Sequence, residues 1–358
     1  MRFLVRIGLF TITMAMYAMG YNYIFLPGMG GSVLYNHEQQ KIWPPRLFMD
    51  FNQLHMKFDP MSQQPIIPPV KNVGNLEDVR IDNKVTYFFT KNTYYSKMIQ
   101  HLETQHSVYA FPYDFRYIMM PDYYLSLYKQ FNQFIAEKED IVFVCHSMGG
   151  LLLHDFLNHY LHPFYFRKIR KVYYINVPFG GVPYSFYALY ESLFQQKEVL
   201  FPSTQHIIPY LTSKIKHLHH FGGLYLCLPV EKEPIFRKEG IWYNSYQLQD
   251  FFATDSLSLA NYRRFQKHHA IIRRKSVPLD QVVVYSTNLS TFSFFDYDSQ
   301  TILSSTGDGL VPTTSLLYPY CWKHQPTYVE LYEQEHSRVN NYQPLIEMVS
   351  HGTSNLIY

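Results

Sequence analysis

Apolar and polar positions along the chain fall into two alternating patterns. Short runs of β-branched, aromatic and aliphatic residues recur at Tyr21–Leu26, Val85–Thr90, Ser107–Phe111, Ile141–Val144, Val172–Ile175, Gln281–Tyr285 and Tyr328–Tyr332. Each is too short for a helix of ordinary length, which predicts strands, and the continuous apolar run Ile141–Val144 suits a strand buried on both faces. Between them, Tyr94–Glu103, Tyr123–Glu137 and Leu151–Tyr160 carry apolar residues at helical spacing. Strands alternating with helices imply right-handed crossovers and a mostly parallel sheet with helices on both faces, an α/β fold. Two stretches break the alternation. Residues 35–84, rich in Pro, Gln and Asn, read as a lid-like insertion, and residues 184–278 as a cap over the carboxyl edge of the sheet, where ligands bind in such folds. Residues 21–358 thus form one catalytic-sized domain with two insertions, preceded by residues 1–20.

The stretch IVFVCHSMGGLLLHDF, residues 141–156, passes from strand to helix within three residues and crowds Cys145, Gly149 and Gly150 around Ser147. So tight a turn needs small flanking residues. It is the physical content of the nucleophile elbow of α/β-hydrolases, with Cys145 in place of the first glycine. A serine hydroxyl is barely ionised at neutral pH, so it needs a base, and the base needs an orienting carboxylate. In STGDGLVP, Asp308 sits between two glycines that let the backbone turn and present the carboxylate. His336 follows the Tyr328–Tyr332 run, one strand's worth of chain later; His351, beyond a further helical segment, is the weaker candidate for the base. Acyl transfer also requires donors for a developing oxyanion. The backbone N–H of Met148, at the start of a helix, is one candidate, and that of Met29, in the Gly-rich turn FLPGMGGSVL, is the other.

Composition narrows the partners. With Lys+Arg 31 against Asp+Glu 28, the net charge of +3 gives no basis for nucleic-acid binding. A charged fraction of 16% beside an aromatic fraction of 18% supplies ring surface for a core, an apolar pocket or a lipid interface. The cluster Arg263, Arg264, Lys267, Arg273, Arg274 and Lys275 reads as a solvated helix face, with contact to an anionic lipid surface as the alternative. Three cysteines, Cys145, Cys227 and Cys321, make no disulfide framework, no Cys spacing suggests zinc, and the run His217–His220 reads as a polar loop, so no metal and no cofactor is expected. At the N-terminus, Arg2 and Arg6 precede the short apolar stretch Ile7–Met19 and then Gly20, the layout of a signal peptide or an interfacial anchor, and the sequon Asn288-Leu289-Ser290 agrees with a secreted or lumenal location.

An ordered set of motifs, LPGMGGSVL, PYDFR (Pro112–Arg116), CHSMGG, VPFGG (Val177–Gly181), FPSTQHIIP (Phe201–Pro209), GDGLVP and EHSRV, resembles the lecithin:cholesterol acyltransferase family of α/β-hydrolases and is most similar to its phospholipase A-like branch. The resemblance implies a triad of Ser147, Asp308 and His336, oxyanion donors at Met29 and Met148, and lipid contacts at Trp43 and Phe179. It implies a serine enzyme that takes an acyl group from a glycerophospholipid at a membrane or lipoprotein-like interface. Phospholipase A-type hydrolysis is the first reading, O-acyl transfer to a sterol or other lipid alcohol the second, and a lipid-binding protein without turnover the alternative of another class. The lid of the animal plasma and lysosomal members is closed by a cysteine pair. Residues 35–84 contain no cysteine, so a lid of that form is not expected.

Overall fold

The structure is a computed structural model. It describes residues 20–356 apart from 37, 44–53, 63, 68–73, 80–81, 84–91, 195–216 and 231. The N-terminal segment through residue 19, the expected strand Val85–Thr90 and the motif Phe201–Pro209 lie outside the described residues.

The main elements in chain order are β1 (Asn22–Leu26), α1 (Ser96–Glu103), β2 (Ser107–Ala110), α2 (Pro121–Ala136), β3 (Ile141–His146), α3 (Met148–His159), β4 (Ile169–Ile175), α4 (Pro183–Phe194), β5 (Phe236–Lys238), β6 (Ile241–Tyr243), α5 (Ser256–Arg264), β7 (Gln281–Thr287), β8 (Leu289–Asp296), β9 (Thr301–Gly307), β10 (Thr327–Tyr332) and α6 (Gln343–Ser350). Six strands form a central sheet in the order β10-β7-β4-β3-β1-β2, every neighbouring pair parallel. Alternate residues of each inner strand face opposite layers. Ile24, Leu26, Phe143, Cys145, Val172 and Tyr174 join one apolar cluster with residues of α2, α3 and α4. Tyr23, Phe25, Val142, Val144, Tyr173 and Ile175 join the other with α1 and α6. Strands buried on both faces have no reason to alternate polar and apolar residues, which explains the unbroken run in β3.

From β1 the chain steps outward to β2 and then returns past β1 to β3, so the strand order reverses there. The carboxyl ends of β1 and β3 therefore open onto a crevice at a topological switch point.

A second sheet, β6-β5-β8-β9, was not foreshadowed by the strand pattern. Its β8–β9 hairpin reads LSTFSFFD and TILSSTG, rich in Ser and Thr because one face meets solvent. β5 pairs in parallel with β8, so the excursion expected over 184–278 shares a sheet with residues beyond it. Within it, α4 is buried over most of its length, among the core elements. Of the expected lid, Leu34–Tyr35 pairs with Lys41–Trp43, Val33 N–H donates to Asp78 O at 2.8 Å and Leu54 is fully buried, whereas Met61 is 95% exposed. Cys145, Cys227 and Cys321 are all unbridged. No helix among the described residues is long and apolar enough to cross a membrane.

Candidate active site

β3 ends at His146, and Ser147 takes φ 52° and ψ −131° before α3 begins. A non-glycine residue at positive φ is held there only by its surroundings. Ser147 N–H donates to Ile175 O at 3.0 Å, and Ser147 O accepts from Gly150 N–H at 2.9 Å. The close approach requires the glycines. A Cβ on Gly149 would stand 2.4 Å from Pro27 O, and one on Gly28 would stand 2.8 Å from the Ser147 Cβ. The end of β1 is thereby pressed onto the start of α3.

The structure brings Ser147, His336 and Asp308 into series. His336 Nε2 lies 2.8 Å from Ser147 Oγ, and His336 Nδ1 lies 2.5 Å from Asp308 Oδ2. Asp308 is wholly buried, and its other oxygen accepts from the N–H groups of Leu310 at 3.0 Å and Val311 at 2.7 Å. An ionised carboxylate only accepts, so Nδ1 of His336 carries the proton and Nε2 is left to accept from the serine hydroxyl. His336 N–H donates to Asp308 O at 2.9 Å, which ties acid and base loops together through the backbone. Asp308 does not follow β7 directly, as the sequence pattern suggests. The β8–β9 hairpin intervenes, and Asp308 comes straight off β9, where Thr291 of β8 accepts from Gly309 N–H at 2.9 Å.

Behind the triad lies a hydrogen-bonded line that motif spacing does not reveal. His146 Nε2 meets His336 O at 2.9 Å, and a carbonyl only accepts, so Nε2 is the protonated nitrogen. His146 Nδ1 therefore accepts from Tyr95 OH at 2.9 Å, and that hydroxyl in turn accepts from Gly28 N–H at 3.0 Å. Burial, reinforced by the neighbouring His336, holds the His146 pKa well below its ordinary value of 6.5, so the ring stays neutral. The line couples the glycine loop after β1 to the loop bearing His336. His146 lies within CHSMGG and was legible as a motif member, whereas nothing in the sequence singles out Tyr95.

Met29 lies in the loop after β1 and Met148 opens α3. Both side chains flank Gly223, where an added Cβ would stand 3.3 Å from the Met29 Sδ and 3.1 Å from the Met148 Sδ. The loop is braced by PYDFR. Tyr113 OH donates to Pro27 O at 2.7 Å, and Tyr113 N–H to Ser32 Oγ at 3.0 Å. Arg116 and Asp114 form a buried two-point pair, Nη2 to Oδ2 at 2.7 Å and Nε to Oδ1 at 3.0 Å, while Phe115 O accepts from Gly223 N–H at 2.8 Å.

Two expected lipid contacts are corrected. Trp43 is 8% exposed, its Nε1–H donates to Gly30 O at 2.6 Å, and it meets Phe115 edge-on, so it braces the glycine loop instead of facing lipid. Phe179 is wholly buried between His154, Tyr174 and Trp322, ring against ring, so it is core. His351 is exposed after α6, with Nδ1 on Glu347 O at 2.8 Å, away from Ser147.

The profile of the lecithin:cholesterol acyltransferase family matches residues 50–291, a span that includes Ser147 and ends before Asp308 and His336. No curated protein matches the chain. Among solved structures, the chain is similar to the lipase BlEst2 of Bacillus licheniformis (9% identity, 92% of each chain covered, TM-score 0.38). It is also similar to the esterase RhEst1 of Rhodococcus sp. ECU1013 (10% identity, 94% of this chain and 92% of that chain, TM-score 0.40). A chain of the Tle4-Tli4 complex matches at 12% identity over 93% of this chain and 98% of that chain, TM-score 0.47.

Proposed function

The chain belongs to the lecithin:cholesterol acyltransferase family, and on that premise we propose that it is a serine phospholipase of the A type, with Ser147 as nucleophile, His336 as base and Asp308 as its orienting acid. The observation that carries this reading is the unbroken series Asp308 Oδ2, His336 Nδ1, His336 Nε2, Ser147 Oγ, with contacts of 2.5 and 2.8 Å. Ser147 Oγ attacks the ester carbonyl as its proton passes to His336 Nε2. The carbonyl oxygen, now negative, is met by the N–H groups of Met29 and Met148, the latter aided by the positive end of the α3 dipole. Collapse expels the lysophospholipid oxygen, which takes the proton from Nε2. Water, deprotonated by the same nitrogen, then attacks the acyl-enzyme and releases the fatty acid.

The family to which the chain belongs supports a second acceptor. A lipid alcohol in place of water yields an ester, and pocket shape decides which acceptor reaches the acyl-enzyme first. The basic and then apolar N-terminus supports work in the secretory route, at a lipid surface.

The test incubates the protein with vesicles of phosphatidylcholine with and without a sterol and resolves products by mass spectrometry. Free fatty acid and lysophospholipid as the main products, with Ser147→Ala abolishing both, are the expected result. Sterol ester as the main product replaces hydrolysis by transfer. Absence of turnover and of fluorophosphonate labelling at Ser147 leaves the non-catalytic lipid-binding alternative.

A further inference from the structure

Away from the triad, at the far end of α3, Asp155 is buried and His159 follows one turn later on the same helix face. The helix α5 continues into a π turn, Phe265–His269, that carries His268 and His269 to the same place. A π turn holds residues four and five apart on one side, so Arg264, His268 and His269 all approach Tyr124, and His268 and His269 also reach Asp155. Such turns are enriched at functional positions. Asp155 Oδ1 lies 3.1 Å from His159 Nδ1, and Asp155 Oδ2 lies 3.1 Å from His268 Nε2. One ligand atom from each of the three residues falls within a sphere of mutual distances below 4.8 Å.

We propose that Asp155, His159 and His268 form a site for a transition-metal dication of the zinc class, which pins α3, the helix that follows Ser147, to the segment after α5. Tetrahedral zinc with bonds of about 2.0–2.2 Å holds its ligand atoms about 3.3 Å apart; each imidazole nitrogen already stands 3.1 Å from a carboxylate oxygen of Asp155, and the three ligand atoms lie within 4.8 Å of one another. Two imidazoles and a carboxylate are a donor set for zinc and not for calcium or magnesium, which take oxygen. His159 and His268 are partly exposed, with side-chain exposures of 29% and 26%, so an ion has a way in and a water can complete the fourth position. An outer layer is in place: Tyr124 OH donates to Asp155 Oδ2, and His269 Nδ1 stands 3.5 Å from that oxygen, as orienting partners do around metal ligands. Without an ion, the two ring N–H groups donate to the carboxylate. On binding, each coordinating nitrogen gives up its proton and the opposite ring nitrogen takes one. For His159 that nitrogen is Nε2, 3.3 Å from Lys275 Nζ, which is exposed and free to swing outward.

Along α3, Asp155 lies about two helical turns from Ser147, roughly 12 Å, and His159 about three turns, roughly 18 Å, so the site is separate from the acyl chemistry. The test strips the full-length protein with chelator, dialyses it and titrates it with Zn²⁺ by calorimetry, with thermal unfolding in parallel. The expected result is a Zn²⁺-dependent rise in Tm and binding that is weakened at least tenfold by His159→Gln and by His268→Gln, both at partly exposed positions. Both variants retain the hydrolysis of a soluble short-chain ester, and the Zn²⁺-dependent rise is read against each variant's own metal-free Tm. The group His217, His219 and His220 also has ligand atoms within 4.8 Å of one another. Zn²⁺ binding that survives unchanged in the His159 and His268 variants, or no binding by the wild type at micromolar Zn²⁺, would overturn the proposal.

Discussion

At the level of single residues, His336, the proposed base, is positioned from two directions. Asp308 fixes the His336 ring, and His146 fixes its backbone through the bond to His336 O. Tyr95 OH is the shared link between His146 and Gly28 N–H. Tyr95→Phe keeps the ring and removes only the oxygen, leaving a buried acceptor and a buried donor unpaired. The expected loss of stability is about 1–3 kcal/mol. If the line positions the base, kcat for a soluble ester falls roughly tenfold with KM little changed, since misplacement acts on the transition state. A purely structural tyrosine lowers Tm and leaves kcat of the folded enzyme intact. His146 also sets a pH dependence. Its folded pKa is held below 6.5, so under falling pH the unfolded chain takes up a proton that the folded one refuses. Its contribution to stability is full above pH 6.5 and is lost as pH drops toward the folded pKa. The slope is at most about 1.4 kcal/mol per pH unit. His146→Gln is expected to flatten the acid side of the stability curve by that amount, measured by denaturant unfolding at several pH values. An unchanged slope would mean that the ring titrates alike in both states.

At the level of elements, the site depends on loops held by buried polar contacts. The loop Pro112–Arg116 contains a charge pair in which Arg116 is 3% and Asp114 6% exposed, and Arg116 Nη1 also donates to Leu54 O at 3.0 Å. Asp114→Ala leaves a buried guanidinium unpaired, with an expected cost of roughly 3–5 kcal/mol in denaturant unfolding. Replacing both partners by Leu and Met is expected to cost less than the single change, because no charge is then left uncompensated. If the single change proves the milder one, the pair is not what braces the loop. Elements of this kind also mark what the sequence made legible. The six described central strands and the helices α1, α2 and α3 follow from apolar runs and helical spacing, because burial on both sheet faces or on one helix face writes itself into residue type. That Ser147, Asp308 and His336 meet was legible because turn chemistry and chain order restrict where such residues can sit. The hairpin β8–β9 was not, since a strand with one solvated face carries Ser and Thr where a core strand carries Val. Tyr95 was equally hidden: it reaches Gly28 and His146 across the sheet edge, a contact no local pattern encodes. Trp43 misled for the opposite reason, since a Trp beside prolines looks like a surface anchor and is in fact a prop under Gly30.

For the whole molecule, the proposed function raises the question of which surface would meet lipid. Pairing in the second sheet places Trp242 opposite Arg237, Arg237 beside Asp296, and Phe294 opposite Leu303. With the alternation of strands, Trp242, Arg237, Phe294 and Leu303 share one face, while Phe236 and Phe295 point to the core. Trp242 is 52% and Leu303 50% exposed, Trp242 stacks on Phe294 at 5.1 Å, and the Arg237 guanidinium lies 5.4 Å from the Trp242 ring. A half-exposed indole backed by a cation is suited to the boundary between lipid headgroups and acyl chains. β9, which carries Leu303, runs directly into Asp308, so the sheet bearing this face also carries the acid of the proposed triad. Trp242→Ala combined with Leu303→Ser removes apolar area worth about 1–2 kcal/mol, an expected loss of roughly tenfold in partitioning onto phosphatidylcholine vesicles. Activity on a soluble short-chain ester is expected to stay within about twofold, since neither side chain touches the triad. Trp43→Ala is expected to do the reverse: a core loss of about 3–5 kcal/mol in unfolding experiments, with vesicle partitioning of the folded fraction unchanged. Vesicle sedimentation and unfolding on the same samples separate the two. If partitioning follows Trp43 and ignores Trp242, the lipid-facing side of the molecule is the edge near the glycine loop, and the second sheet serves only to carry Asp308.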